Sequence, residues 1–155
     1  MNDELRELYQ SVILDHSRKP RNYGELHGDD CRHVHGDNPS CGDEIDVFVR
    51  LDGDKLAEVK FTGQGCAISQ ASASMMTQKL KGRSRDEAGK LAGAFRGIVT
   101  GENRDTSAED ALGELQLLEG VQQFPARVKC AMLAWRALEQ AVSTDVSGNV
   151  STEES

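Results

Sequence analysis

Aromatic residues are scarce in this chain, at 5% of 155 residues, and a single one of them is tryptophan. A core built largely without them leans on Val, Leu, Ile, Ala and Met. No dense block of Lys or Arg occurs: 18 basic residues face 26 acidic ones, a formal net charge of −8. On average such a surface repels a phosphate backbone, which argues against nucleic acid as a partner. No apolar run reaches the length needed to cross a bilayer, so no membrane span is expected. The opening stretch, Met1-Asn2-Asp3-Glu4-Leu5-Arg6, lacks a basic segment followed by an apolar one. No secretory signal is therefore expected, and the expected address is the cytoplasm. Thiols stay reduced there, so the four cysteines read as ligands, nucleophiles or core thiols rather than as disulfides.

What is present is a succession of short periodic elements. Leu5, Leu8, Tyr9, Val12 and Ile13 give Asp3 to His16 a helical period, and Pro20, Asn22 and Gly24 end it. The chain up to about Asp37 reads as irregular, with at most a short strand near His33. Ile45, Val47, Val49 and Leu51 then alternate with Asp46, Phe48 and Arg50. After the turn Asp52-Gly53-Asp54-Lys55, Ala57, Val59 and Phe61 alternate with Glu58 and Lys60. The two runs predict an antiparallel hairpin. Ala67 to Lys81 predicts a helix stopped by Gly82, and its small residues from Ala67 to Ser74 suit close approach to a sheet. Ser84-Arg85-Asp86-Glu87 fits the capping box of another helix, fading between Gly97 and Gly101. Gly101 to Gly120 is acidic, with Leu112, Leu115, Leu117 and Leu118 to support a short helix. Pro125 opens a last helix whose stripe is Val128, Ala131, Trp135, Leu138 and Val142. Residues 1–142 read as one domain and residues 143–155 as a disordered polar tail. Strands and helices are segregated, so the expected class is α+β, with a small antiparallel sheet of about three strands packed against several helices.

Three segments carry the chemistry: Asn38-Pro39-Ser40-Cys41-Gly42-Asp43, Gly63-Gln64-Gly65-Cys66 and Arg127-Val128-Lys129-Cys130. Three thiolates and one carboxylate form a complete donor set for a tetrahedral zinc ion. In a regular strand Cys41 and Asp43 share a face but stand apart; Gly42 between them lets the backbone bend until both donors converge. Cys66 leads into a helix, whose amide end stabilises a thiolate. Cys130 lies about one turn into the last helix, with Arg127 three residues earlier on the same face, placed to offset the negative charge of such a centre. Each cysteine taken alone also reads as an ordinary exposed or core thiol; the three together make the pattern. Cys31-Arg32-His33-Val34-His35 looks like a ligand cluster but is read as a polar edge, and His16 and His27 have no evident partners.

On these residues the chain resembles the IscU/NifU-like family of iron–sulfur cluster assembly proteins, and within it the SufU branch. The blocks that carry the resemblance are Asp15-His16, Pro20-Arg21-Asn22, the segment from Asn38 to Asp43, Gly65-Cys66-Ala67-Ile68-Ser69, the run from Ala71 to Thr77, and Phe124 to Cys130. Lys129 stands where the IscU scaffolds have a histidine before the last cysteine, and the long Gly101 to Gly120 segment is a feature of the SufU branch. The resemblance implies an IscU/SufE-like fold. It implies a zinc-dependent sulfurtransferase that accepts persulfide sulfur from a SufS-type cysteine desulfurase and delivers it to a downstream iron–sulfur assembly scaffold. Cys41, Asp43, Cys66 and Cys130 would be the Zn2+ ligands, Cys41 the persulfide acceptor and Arg127 a supporting catalytic residue. The alternative is a scaffold that carries a transient iron–sulfur cluster on the same cysteines. Four protein donors leave no open position for hydrolytic zinc chemistry.

Overall fold

Alternation, capping and turn chemistry place most of the chain into elements that converge on one core. The computed structural model describes residues 3–28, 30–39, 42–102, 104, 106–143 and 148–151. Helix α1 spans Asp3–Arg18. Strands β1 (Cys31–Asn38), β2 (Asp43–Asp52) and β3 (Lys55–Gln64) follow, and then helices α2 (Ala67–Leu80) and α3 (Arg85–Thr100). A single turn α4 (Thr106–Glu109) runs into a 3-10 segment (Asp110–Gln123), and α5 covers Pro125–Ser143. The last element is β4 (Gly148–Ser151), and the sheet order is β3-β2-β1-β4.

The three long strands are antiparallel neighbours, as the α+β reading expects. Ile45, Val47, Val49, Val59 and Phe61 turn inward and are at most 1% exposed. Their shared cluster takes in Ile13 of α1, Ile68 and Met76 of α2, Leu91 and Phe95 of α3, Leu112 and Leu118 of the 3-10 segment, and Leu133 and Trp135 of α5. Ser84 caps α3 in a complete capping box with Glu87, and Gly101 ends that helix in the left-handed conformation. The serines of α2 do more than allow close approach to the sheet. Ser72 Oγ donates to the Ala131 carbonyl (2.7 Å) and accepts from the Trp135 indole (3.1 Å), tying α2 to α5. Trp135 in turn stacks on Phe95 of α3.

Three stretches depart from the sequence expectation. The region before Asp37 is a full strand of 8 residues, because β1 lies between β2 and β4 and its backbone is paired on both sides. The acidic segment is a longer 3-10 run, interrupted at Gly113, which takes a conformation (φ 57°, ψ −125°) that no helix allows. Within the expected tail, Gly148–Ser151 pairs in parallel with Val34–Asp37, using backbone groups that any residue type supplies. Residues 144–147 and 152–155 lie outside the described residues.

His16 is partnered after all. Ser74 Oγ accepts the Arg21 backbone N–H (2.8 Å), so its hydroxyl hydrogen is left for His16 Nδ1 at 2.7 Å, and Nε2 faces Glu114 at 3.8 Å. The imidazole is 3% exposed. Burial holds its pKa below the usual value; Arg21 adds to the shift, while Glu114 and Asp15 oppose it. An unfolded histidine takes up a proton near pH 6.5, so the unfolded chain gains one that the folded chain resists. This part of the stability is complete above that pH and is lost as the pH falls through the folded pKa. His16→Gln is therefore expected to lose less stability than the wild type between pH 7 and 5, as read by urea unfolding at both values.

Candidate metal centre

The β1–β2 hairpin, the β3–α2 junction and the start of α5 meet at one end of the sheet. Asn38 and Asp43 are the cross-strand pair that closes the hairpin, so their side chains share one face. Both point inward, at 0% and 1% exposure. The Gly42 N–H donates to the Asn38 carbonyl (2.9 Å), and Gly42 has a φ of +74°, the bend expected from a glycine here. Cys41, two residues before Asp43 in the chain, lies outside the described residues, as does Ser40.

Cys66 occupies the N-cap position of α2 with no side-chain cap bond, so its thiol stands at the positive end of the helix dipole. Its backbone N–H donates to Asp43 Oδ1 (2.9 Å), and its Sγ lies 3.8 Å from Asp43 Oδ2. That close approach depends on Gly65. A Cβ there would fall 2.2 Å from Asp43 Oδ1, and the glycine has a φ of +153°. Cys130, 2% exposed, arrives from α5, and the Asn38 Nδ2 donates toward its Sγ at 3.8 Å.

A carboxylate oxygen of Asp43 and the sulfurs of Cys66 and Cys130 all lie within 4.8 Å of one another. A tetrahedral zinc ion with Zn–S near 2.3 Å and Zn–O near 2.0 Å sets a sulfur and an oxygen about 3.5 Å apart and two sulfurs about 3.8 Å apart. The three donors fit that set with small side-chain adjustments. Asp43 gives a second reason to read the site as a metal centre. It is a buried carboxylate whose partners among the described residues are the Cys66 N–H and thiol, with no cation at ion-pairing distance. Buried charges are otherwise paired or bound to metal.

Arg127 sits exposed in the first turn of α5, beside a groove of about 820 Å³ that runs between α1, the start of α2 and the start of α5. Tyr9, Ile13, Leu14, Ile68 and Phe124 line it, and Leu14 and Phe124 are 43% and 59% exposed. Burial raises the Tyr9 phenol, Arg127 pulls it down and Cys66 pushes it up, so Tyr9 lies within electrostatic range of both. In the sequence Tyr9 stands out only as part of the apolar stripe of a helix, and Asn38 only as the first residue of the Asn38-to-Asp43 segment. The sequence signal that could have marked Asn38 is its place three residues before Cys41.

Cys31 stays apart from the site. Its thiol donates to the Leu26 carbonyl (3.3 Å), and burial raises its pKa. His33 and His35 both lie on Asp46 Oδ1, at 2.6 and 3.1 Å, as part of a polar sheet face.

Comparison with known proteins matches this architecture. The model of the NifU-like N terminal domain covers residues 8–146. The zinc-dependent sulfurtransferase SufU of Bacillus subtilis (strain 168) is 45% identical over 148 residues, 96% of this chain and 98% of that protein. The iron–sulfur cluster assembly scaffold protein IscU of Streptococcus pyogenes serotype M1 is 42% identical over 151 residues, 97% of this chain and 92% of that protein. Among solved structures, a putative iron–sulfur cluster assembly scaffold protein for the SUF system from Fervidobacterium islandicum AW-1 superposes with a TM-score of 0.78 at 33% identity, covering 89% of this chain and 98% of that one. The shared fold, the near-complete coverage and the converging Asp43, Cys66 and Cys130 lead to one assignment: the chain belongs to the NifU-like N-terminal domain family.

Proposed function

We propose that this protein is a zinc-dependent sulfurtransferase of iron–sulfur cluster assembly, which accepts persulfide sulfur on Cys41 from a SufS-type cysteine desulfurase and passes it to a downstream assembly scaffold. The observation that carries the reading is the convergence of Asp43, Cys66 and Cys130 at the foot of the β1–β2 hairpin, two residues along the chain from Cys41. The 45% identity to the zinc-dependent sulfurtransferase supports the choice of metal. Cys41, Asp43, Cys66 and Cys130 would hold the ion, which keeps its cysteine ligands deprotonated at neutral pH.

The Cys41 thiolate attacks the outer sulfur of the partner's persulfide. The partner's sulfur–sulfur bond breaks as a new one forms on Cys41, and the partner's cysteine leaves as a thiolate. Charge and oxidation state balance without an added oxidant or reductant. The exposed Leu14 and Phe124, flanking the groove that ends at Ala67 beside Cys66, offer an apolar seat for the partner. Arg127 supplies positive charge at the rim where a persulfide anion arrives.

The relatives named as scaffolds favour a second reading, in which an iron–sulfur cluster is built on the same cysteines. One preparation separates the two. Purified without oxygen, the sulfurtransferase is expected to hold one zinc and no visible chromophore. After incubation with a desulfurase and cysteine, mass spectrometry is expected to place one added sulfur on Cys41. A stable iron chromophore, or sulfur found on Cys31 alone, overturns the proposal.

A further inference from the structure

Asn38 is an unusual residue to find with no solvent exposure. Its Oδ1 is buried and has no hydrogen-bond partner among the described residues, a cost to the folded state that an apolar side chain of similar size would avoid. Its Nδ2 points at the Cys130 sulfur, 3.8 Å away. Its backbone carbonyl accepts the Gly42 N–H, so the same residue also holds the start of β2 next to Asp43. Across the ladder its partner is Asp43, which holds the Cys66 backbone N–H. The two residues at the foot of the hairpin thus each hold one of the two cysteines that come from elsewhere in the chain.

We propose that Asn38 is a positioning residue of the metal centre, whose carboxamide donates to the Cys130 thiolate and keeps that ligand in place while sulfur is exchanged at Cys41. The inference rests on the sulfurtransferase reading for the exchange, but the hydrogen bond to sulfur stands on its own geometry. A metal-bound thiolate has no proton, so only the amide orientation with Nδ2 toward sulfur makes a bond; the reverse sets two acceptors against each other. The donated bond draws electron density from Cys130 and fixes the direction of its lone pairs, as outer partners of metal ligands do.

The test compares wild type, Asn38→Asp and Asn38→Ala, with no desulfurase present. Asn38→Asp keeps the shape and the turn-forming character but replaces a donor with a negatively charged acceptor. Asn38→Ala removes the donor without adding charge, and serves if the aspartate variant does not fold. Zinc affinity, measured by chelator competition, is expected to fall about 10–100-fold in the variants. In the cobalt-substituted proteins the sulfur-to-metal charge-transfer band is expected to move to lower energy, because the sulfur lone pairs lose the stabilising N–H. Wild-type zinc affinity in a folded variant overturns the proposal, and so does a weaker site whose band does not move, which marks a merely structural role. Failure of the sulfurtransferase reading shows separately, as zinc-loaded wild type that takes up no sulfur on Cys41.

Discussion

A Cys41→Ser variant is expected to fold, and to take no sulfur from a cysteine desulfurase. The step requires a nucleophile that is anionic at neutral pH and soft enough to attack sulfur; a serine hydroxyl is neither. The expected loss is at least about 100-fold in desulfurase turnover, limited by the background seen with no acceptor present. Zinc is also expected to be held less tightly, since one of the four proposed donors is exchanged for a poorer one. The assay is therefore run at saturating zinc, with circular dichroism to show that the fold persists. Cys31→Ser is the control. Its thiol is half-buried, donates to a backbone carbonyl and has a raised pKa, so its loss is expected to leave turnover unchanged. Sulfur appearing on the Cys41→Ser protein at the wild-type rate would show that another cysteine is the acceptor. A structural zinc site would show as unchanged desulfurase stimulation by a folded, metal-loaded variant.

Much of the architecture is legible in the sequence, wherever side-chain pattern determines backbone form. The β2–β3 hairpin has strict alternation and a compact turn, and the α3 capping box specifies its own geometry. Strand β1 is obscure for a physical reason. Of its inward positions, Val34 is apolar, but Gly36 and Asn38 take the places where a hydrophobic residue would give the alternation away. Asn38 is buried because of what it touches, and that contact joins residues 92 positions apart, far outside any local window. The 3-10 segment is similar: Leu112, Leu115 and Leu118 recur every third residue, a spacing that an α-helix shares. At the site, residue types and turn chemistry mark Cys41, Asp43, Cys66 and Cys130 as candidates; the structure brings Asp43, Cys66 and Cys130 within 4.8 Å of one another, and Cys41 lies outside the described residues. What local pattern does not reveal is the contact that Asn38 makes with Cys130, or which atoms the glycine at residue 65 must admit, since both depend on distances between separate elements.

Gly65 carries the second large effect. The glycines before Cys66 suit a close approach of this loop to a shared site, and the structure shows at Gly65 a residue with no room for a side chain. In Gly65→Ala the new Cβ would stand 2.2 Å from Asp43 Oδ1, 2.7 Å from its Cγ and 3.0 Å from its Cβ, on a backbone with a φ of +153°. Asp43 is 1% exposed, and three of its side-chain atoms lie within 3.0 Å of the added Cβ, so either its side chain or the start of α2 must shift. Either movement breaks the 2.9 Å bond from the Cys66 N–H to Asp43. A hydrogen bond to a charged acceptor contributes about 1.5–3 kcal/mol, and backbone strain of this kind costs about 1–3 kcal/mol. A stability loss of about 3–5 kcal/mol is therefore expected in urea unfolding. Zinc affinity is expected to fall by at least about 100-fold, since two ligands are displaced together. Gly42→Ala separates collision from conformation. Gly42 also has a positive φ, +74°, but an added Cβ there meets nothing within 4 Å among the described residues. Its cost is expected to be the left-handed backbone alone, about 1–2 kcal/mol. Equal losses in the two variants would show that conformation, rather than the approach of Asp43 to the start of α2, makes glycine necessary at residue 65.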